Sequence, residues 1–288
     1  MSKQAFVALV TCFNEDETIN YAATRAQVRR QVAAGNNIMC AGTNGDFSAL
    51  THAEKIRLTE EVVGEVAGRA GVIVNAGMPA TFETLQLAKA FDGIAVITPF
   101  FIACTQDGLI RHFQTVADAV GTPVYLYDIP TRTQNHIEPE TARKLAAHGN
   151  IAGIKDSGGA QQTLEAYLQV ARDVPGFEVY SGPDHLVLWS LQNGAAGCIS
   201  GLGNALPDVL AGILSAFNAG DIAEAERQQA IYADFRTDLY ALGFAPAMVK
   251  RSLYLQDPSV GASHQPALLP DPEQDKKILE ILRRHRRL

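Results

Sequence analysis

Short apolar runs alternate along the chain with longer stretches whose apolar positions recur at helical spacing. The runs, each four to six residues and rich in Val, Ile and Ala, fall at 5–10, 37–40, 72–75, 94–97, 124–127, 151–155, 178–181 and 197–200. They lack the polar alternation of a sheet with one wet face, so the pattern predicts strands buried on both sides, as in a parallel sheet. Between them the spacing predicts helices over 18–34, 51–67, 81–90, 109–120, 139–147, 163–170, 184–192 and 207–219. Thr51, with Glu54 three residues on, has the form of a capping box.

Eight such units predict one closed (β/α)8 barrel of the TIM type. A doubly wound sheet has about five to seven strands, and the GxGxxG turn of a dinucleotide-binding sheet does not follow the first run. The barrel is assigned to residues 1–220 and a C-terminal helical region to 221–288. Within that region helices are expected over 221–241, 246–255 and 273–287, around Gly243 and a turn-rich stretch at 257–271. The basic run Arg283-Arg284-His285-Arg286-Arg287 reads as cations complementing a helix C-terminus, in preference to a nucleic-acid patch.

Composition narrows the class. A chain of 288 residues, 47% hydrophobic and 19% charged, can bury about three quarters of its unfolded surface and needs no disulfide or metal staple. With 24 Lys+Arg against 31 Asp+Glu the net charge is −7, which argues against a general nucleic-acid binder. Cys12, Cys40, Cys104 and Cys198 form no CxxC pair and read as buried, reduced thiols. There is no apolar run long enough for a membrane span, and Met1-Ser2-Lys3-Gln4 leads straight into a strand. A cytoplasmic protein is expected.

In such a barrel, chemistry sits at the C-terminal ends of the strands. The sixth run ends Gly153-Ile154-Lys155-Asp156, and a lysine closing an apolar strand is costly to bury unless it pairs or turns neutral. Two readings are open: a buried stem with its head in solvent, or a neutral amine that attacks a carbonyl and forms a Schiff base. In Tyr127-Asp128-Ile129-Pro130-Thr131-Arg132-Thr133, Tyr127 can pass a proton or merely fill the barrel. Arg132 can clamp a carboxylate or form a surface ion pair. Gly42-Thr43-Asn44-Gly45-Asp46 offers close backbone approach and hydroxyl and amide donors to a small anion, although a plain turn accounts for it equally. Gly201-Leu202-Gly203-Asn204 lies where such barrels bind phosphate but has no basic residue beside it. Asp46, Asp156 and Asp184 are too spread for a metal centre and are expected as hydrated surface acids.

These segments, with Thr98-Pro99-Phe100-Phe101 and Ser181-Gly182-Pro183-Asp184, stand in the order of the dihydrodipicolinate synthase/N-acetylneuraminate lyase family. The chain resembles these pyruvate-dependent class I aldolases over nearly its whole length. The resemblance implies that Lys155 condenses with the ketone of pyruvate, that Tyr127 donates and accepts protons, and that Thr43 relays a proton to Tyr127. It further implies that Thr43, Asn44 and Gly45 hold the pyruvate carboxylate and that the Ile199 carbonyl lies near the lysine and tyrosine. Arg132 would take the carboxylate of an aldehyde partner. The family chemistry needs no cofactor and no metal, its partners are small molecules, and its members assemble as homo-oligomers, dimers or tetramers.

Four positions depart from the synthase branch. Phe100-Phe101 replaces a Tyr-Tyr pair whose second hydroxyl completes a relay in the adjoining subunit, Asn44 replaces a second threonine, and Asp46 replaces a glutamate. An unreplaced relay hydroxyl is expected to cost on the order of 10²-fold in proton transfer. Two activities stay open: condensation of pyruvate with a carboxylate-bearing aldehyde, or aldolase or dehydratase action on a 2-keto-3-deoxy sugar acid or related 2-oxo acid. A barrel that binds 2-oxo acids without catalysis is the alternative from another class. The retained Lys155, Tyr127, Thr43 and Arg132 speak against it, since binding needs no Schiff-base lysine.

Overall fold

The computed structural model describes residues 2–267 and 270–288; Leu268 and Leu269, inside the turn-rich stretch 257–271, and Met1 lie outside the described residues. Eight strands close into one parallel barrel in chain order: β1 (Gln4–Ala8), β2 (Asn37–Cys40), β3 (Val72–Asn75), β4 (Ile94–Ile97), β5 (Val124–Asp128), β6 (Ile151–Asp156), β7 (Glu178–Ser181) and β8 (Gly197–Ser200). Helices follow the strands, so the TIM barrel expected from the hydrophobic pattern is the fold. The strands are almost wholly buried, β4 and β8 at every position, which is why they read as apolar runs without alternation.

Where the strands end differently, hydrogen bonds explain it. β1 stops at Ala8 because the Val10 amide donates to the Asn204 side chain at 3.0 Å instead of to a neighbouring strand. β5 and β6 each run one residue beyond the apolar pattern, to Asp128 and Asp156, which pair in register. The ladder continues past both, with the Ser157 amide donating to the Asp128 carbonyl at 2.8 Å and the Gly182 amide to the Asp156 carbonyl at 2.7 Å. Aspartate disfavours strands in isolation, and the paired backbone overrides that preference.

The capping box forms as read: the Glu54 amide donates to Thr51 Oγ1 at 3.2 Å and the Thr51 amide to Glu54 Oε2 at 2.8 Å. Thr105 caps the next long helix from Gln106, three residues before the periodic pattern starts, by accepting from the Gly108 amide. The window 184–192 divides into a 3-10 turn, Asp184–Leu186, and a helix, Val187–Gln192. Short turns escape periodicity altogether; three of them, Thr43–Gly45, Pro130–Thr133 and Leu202–Asn204, follow strand ends.

Three helices close the chain, Ile222–Tyr240, Ala245–Tyr254 and Pro272–Arg284. The first packs on the helix Pro207–Ala219 and buries Tyr232, Phe235 and Leu239. Of the basic run, Arg283 and Arg284 occupy the last helical turn, while Arg284 also pairs with Asp238 and Arg287 holds both Asp208 oxygens at 2.7 and 2.9 Å. Cys12, Cys40 and Cys198 are buried, but Cys104 is only half-buried because it lies on the loop after β4. Among the described residues, no helix is long and apolar enough to cross a membrane. The chain packs as two compact units, residues 2–4 with Ile73–Ile199, and Ala5–Val72 with Ser200–Leu288.

Candidate active site

In the first unit, β5 and β6 place Tyr127 and Lys155 side by side as register partners. Both are buried, at 1% and 4% exposure. Lys155 Nζ lies 4.0 Å from the centre of the Tyr127 ring. The reading of a lysine head escaping to solvent is therefore excluded by its burial. An amine held at this depth beside a phenol has a nucleophile and a proton carrier within one contact.

Strand side chains alternate, so the next pair in the register, Asp128 and Asp156, points to the opposite face, towards the helix Gln161–Asp173. Both are fully buried. Asp128 is well supplied: the Ile137 amide donates to Oδ1 at 3.0 Å, and His136 Nδ1 and the Tyr167 hydroxyl approach Oδ2 at 2.8 and 3.1 Å. The Asp128 hydrogen bond raises the His136 pKa, and burial followed by the Asp128 charge raises that of Tyr167. Asp156 accepts from the Gly158 amide at 2.7 Å through one oxygen, while the other has no hydrogen-bond partner. Burial, with a smaller contribution from the Asp128 charge, pushes Asp156 up to about 6 against the Gly158 bond. The expectation of hydrated surface acids is thus wrong: Asp156 and Asp184 are buried, and Asp46 is paired with Lys250. Sequence position alone does not reveal the elements that cover them.

The segment after β4 is clamped by Asn135, a residue the motifs did not flag. Its amide donates to the Pro99 and Ile102 carbonyls at 2.7 and 2.8 Å, and its oxygen accepts from the Cys104 amide at 2.7 Å. The Thr98 and Thr133 hydroxyls meet at 2.8 Å beneath the same loop. Held this way, Phe101 adopts a left-handed backbone, φ 76°, and stands 81% exposed. Arg132 lies exposed on the short helix Pro130–Thr133, and Ile199 is buried within β8.

In the second unit, the segment after β2 forms the 3-10 turn Thr43–Gly45. Thr43 and Asn44 are half-buried and Gly45 is buried. The Thr11 hydroxyl donates to the Gly45 carbonyl at 2.8 Å. A Cβ on Gly201 would fall 2.4 Å from the Asn44 side-chain nitrogen, so any larger residue there would displace the Asn44 side chain. The glycines at 201 and 203 thus allow close packing, against Asn44 and against Leu210 and Val7.

A lysine buried against a tyrosine at neighbouring strand ends of a TIM barrel is the equipment of a Schiff-base lyase of the class I aldolase type. The model of the dihydrodipicolinate synthetase family matches residues 1–284. A 4-hydroxy-tetrahydrodipicolinate synthase of Mycolicibacterium paratuberculosis is 37% identical over 282 residues, 96% of this chain and 92% of that one. The synthase of Methanopyrus kandleri is 34% identical over 285 residues, covering 96% and 93%. Among solved structures, the dihydrodipicolinate synthase of Aquifex aeolicus superposes with a TM-score of 0.92 at 30% identity over 99% of this chain and 98% of that one. A prophage protein of the dihydrodipicolinic acid synthase family from E. coli, in complex with pyruvate, gives 0.93 at 27% over 99% of each. The chain belongs to the dihydrodipicolinate synthetase family.

The buried acid behind β6 generates a pH prediction. The Asp156 pKa is raised in the fold, from an ordinary 3.8 to about 6, so the folded state holds this proton more tightly than the unfolded one. Its ionised form therefore opposes folding above pH 6, and that penalty fades as pH falls towards 4. Asp156→Asn keeps the acceptor for Gly158 and is expected to gain about 2 kcal/mol over the native protein at pH 8 relative to pH 4. Urea unfolding of both proteins at the two pH values reads it; a difference independent of pH would show that the ionised carboxylate carries no penalty.

Proposed function

We propose that the chain condenses pyruvate with a carboxylate-bearing aldehyde, or releases pyruvate from the corresponding adduct, in the manner of a 4-hydroxy-tetrahydrodipicolinate synthase. The contact between Lys155 and Tyr127 carries this reading. The Lys155 amine adds to the pyruvate ketone carbon, water leaves, and an iminium forms. The iminium withdraws electrons, so the methyl carbon gives up a proton to Tyr127 and becomes the enamine nucleophile. That carbon attacks the aldehyde, the new alkoxide takes a proton, and hydrolysis frees the lysine. Thr43 relays the proton to Tyr127; Thr43, Asn44 and Gly45 hold the pyruvate carboxylate, and the Ile199 carbonyl serves as an acceptor near Lys155 and Tyr127. Arg132 takes the carboxylate of the aldehyde through its planar fork.

Phe101 favours a second reading, cleavage or dehydration of a 2-keto-3-deoxy sugar acid or related 2-oxo acid, because its ring cannot carry a proton. Residues 1–220 serve as the catalytic barrel and 221–288 as its helical region in either case. The four unpaired thiols suit a reducing, cytoplasmic compartment. We also propose a homo-oligomer, dimer or tetramer, supported by the adjacent exposed side chains of Phe101 and Ile102 at 81% and 64%. In sedimentation velocity the native chain is expected as two or four copies and Phe101→Asp as smaller species; a native monomer would refute the assembly.

Borohydride treatment in the presence of pyruvate, followed by intact mass measurement, tests the chemistry. One reduced pyruvate adduct per chain is expected, mapping to Lys155 and lost in Lys155→Ala. A native protein that forms no adduct is a binder or something else. Aspartate semialdehyde and 2-keto-3-deoxy acids as co-substrates then separate the two readings. With the former, Arg132→Ala is expected to raise KM by about 10²-fold, the worth of a lost charge-assisted pair.

A further inference from the structure

We infer that the ion pair of buried Lys250 and half-buried Asp46 is a positioning device for the turn Thr43–Gly45, setting affinity for the 2-oxo acid carboxylate rather than the rate of bond making. This inference rests on the proposed function, in which that turn holds the carboxylate.

Lys250 sits on the C-terminal helix Ala245–Tyr254 and is 2% exposed. Its ammonium donates to Asp46 Oδ2 at 2.7 Å and lies 4.2 Å from the centre of the Phe13 ring. Burial lowers the Lys250 pKa, and the Asp46 charge opposes that shift. Asp46 is the residue that ends the turn, and its backbone is left-handed, φ 54° and ψ 32°. A non-glycine residue enters that region only when its surroundings hold it there. Two contacts from Asp46 supply the hold: its carboxylate to Lys250, and its carbonyl, which accepts from the Ala49 amide at 2.9 Å. The Thr11 hydroxyl on the Gly45 carbonyl and the close approach of Gly201 to Asn44 complete the frame. Thr43 and Asn44 therefore stand in a turn whose exit direction is set by a charge from a helix 204 positions along the chain.

Buried ion pairs add little net stability over an apolar pair of similar volume, but they demand one geometry. A device of this kind is expected to govern where donors point. The effect belongs in ligand affinity, because Asn44 and Gly45, next to Asp46 in the turn, address the carboxylate, whereas Thr43, which also relays a proton to Tyr127, stands at the turn's other end.

The test uses the full-length protein and borohydride trapping of pyruvate as a function of pyruvate concentration. Asp46→Asn/Lys250→Met removes both charges together and keeps a residue that tolerates the left-handed backbone. It is expected to keep its far-ultraviolet spectrum and a cooperative thermal transition while raising the half-saturating pyruvate concentration about tenfold to a hundredfold. Adduct yield and trapping rate at saturating pyruvate, and their pH profile, stay at native values. Lys250→Met alone leaves only the half-buried Asp46 carboxylate, which water can reach, and is expected to show the same loss of affinity; it serves equally if the double variant fails to fold. An unchanged half-saturating concentration in a folded variant overturns the inference, as does a lowered trapping rate at saturation with affinity unchanged. Native protein that traps no pyruvate overturns the proposed function itself, and this inference with it.

Discussion

The register between β5 and β6 is the constraint on which the rest of the structure depends. Pairing Tyr127 with Lys155 sets a phenol beside an amine on one face, and the same step along the ladder sets Asp128 beside Asp156 on the other. A shift of one residue would exchange the faces, exposing the amine to the helices and the carboxylates to the barrel interior. The buried contacts to Asp128 from His136, Tyr167 and the Ile137 amide oppose such a slip. A polar cluster behind the strands thus fixes what stands in front of them.

A division of labour follows. The first unit carries the lysine, the tyrosine and Arg132 on and just after two neighbouring strands, whose ladder holds the lysine and tyrosine side by side. The second unit carries the turn Thr43–Gly45, which owes its shape to side chains from distant segments: Thr11, Gly201 and Lys250. Under the proposed chemistry, Lys155 and Tyr127 set the rate of carbon–carbon bond making, while Asn44 and Gly45 set grip on the substrate anion. An acidic chain of net charge −7 can serve anionic substrates in this way, because local cations and donors, not the overall charge, meet the carboxylates.

Much of this was legible in the sequence. Five of the eight strands end where the apolar runs end, because burial on both faces leaves an unbroken apolar signature. Lys155 and Tyr127 stand out since a lysine and a tyrosine closing such runs break that signature. What stayed hidden depends on contacts between distant segments. Nothing in the order of residues announces that Asp46 meets Lys250 or that Asn135 clamps the loop bearing Phe101. The burial of Asp156 was missed for the same reason: a strand end looks exposed until the elements packed behind it are known. The turns at Thr43 and Pro130 are too short to show a period.

The central claim is that Lys155 and Tyr127 together make an enamine from pyruvate. Exchange of the pyruvate methyl protons in D2O, followed by proton NMR without any aldehyde, measures that step alone. The native protein is expected to catalyse exchange, Tyr127→Phe to do so about 10²-fold more slowly, and Lys155→Ala to fall to the solvent background. Exchange by Lys155→Ala at the native rate would contradict the account.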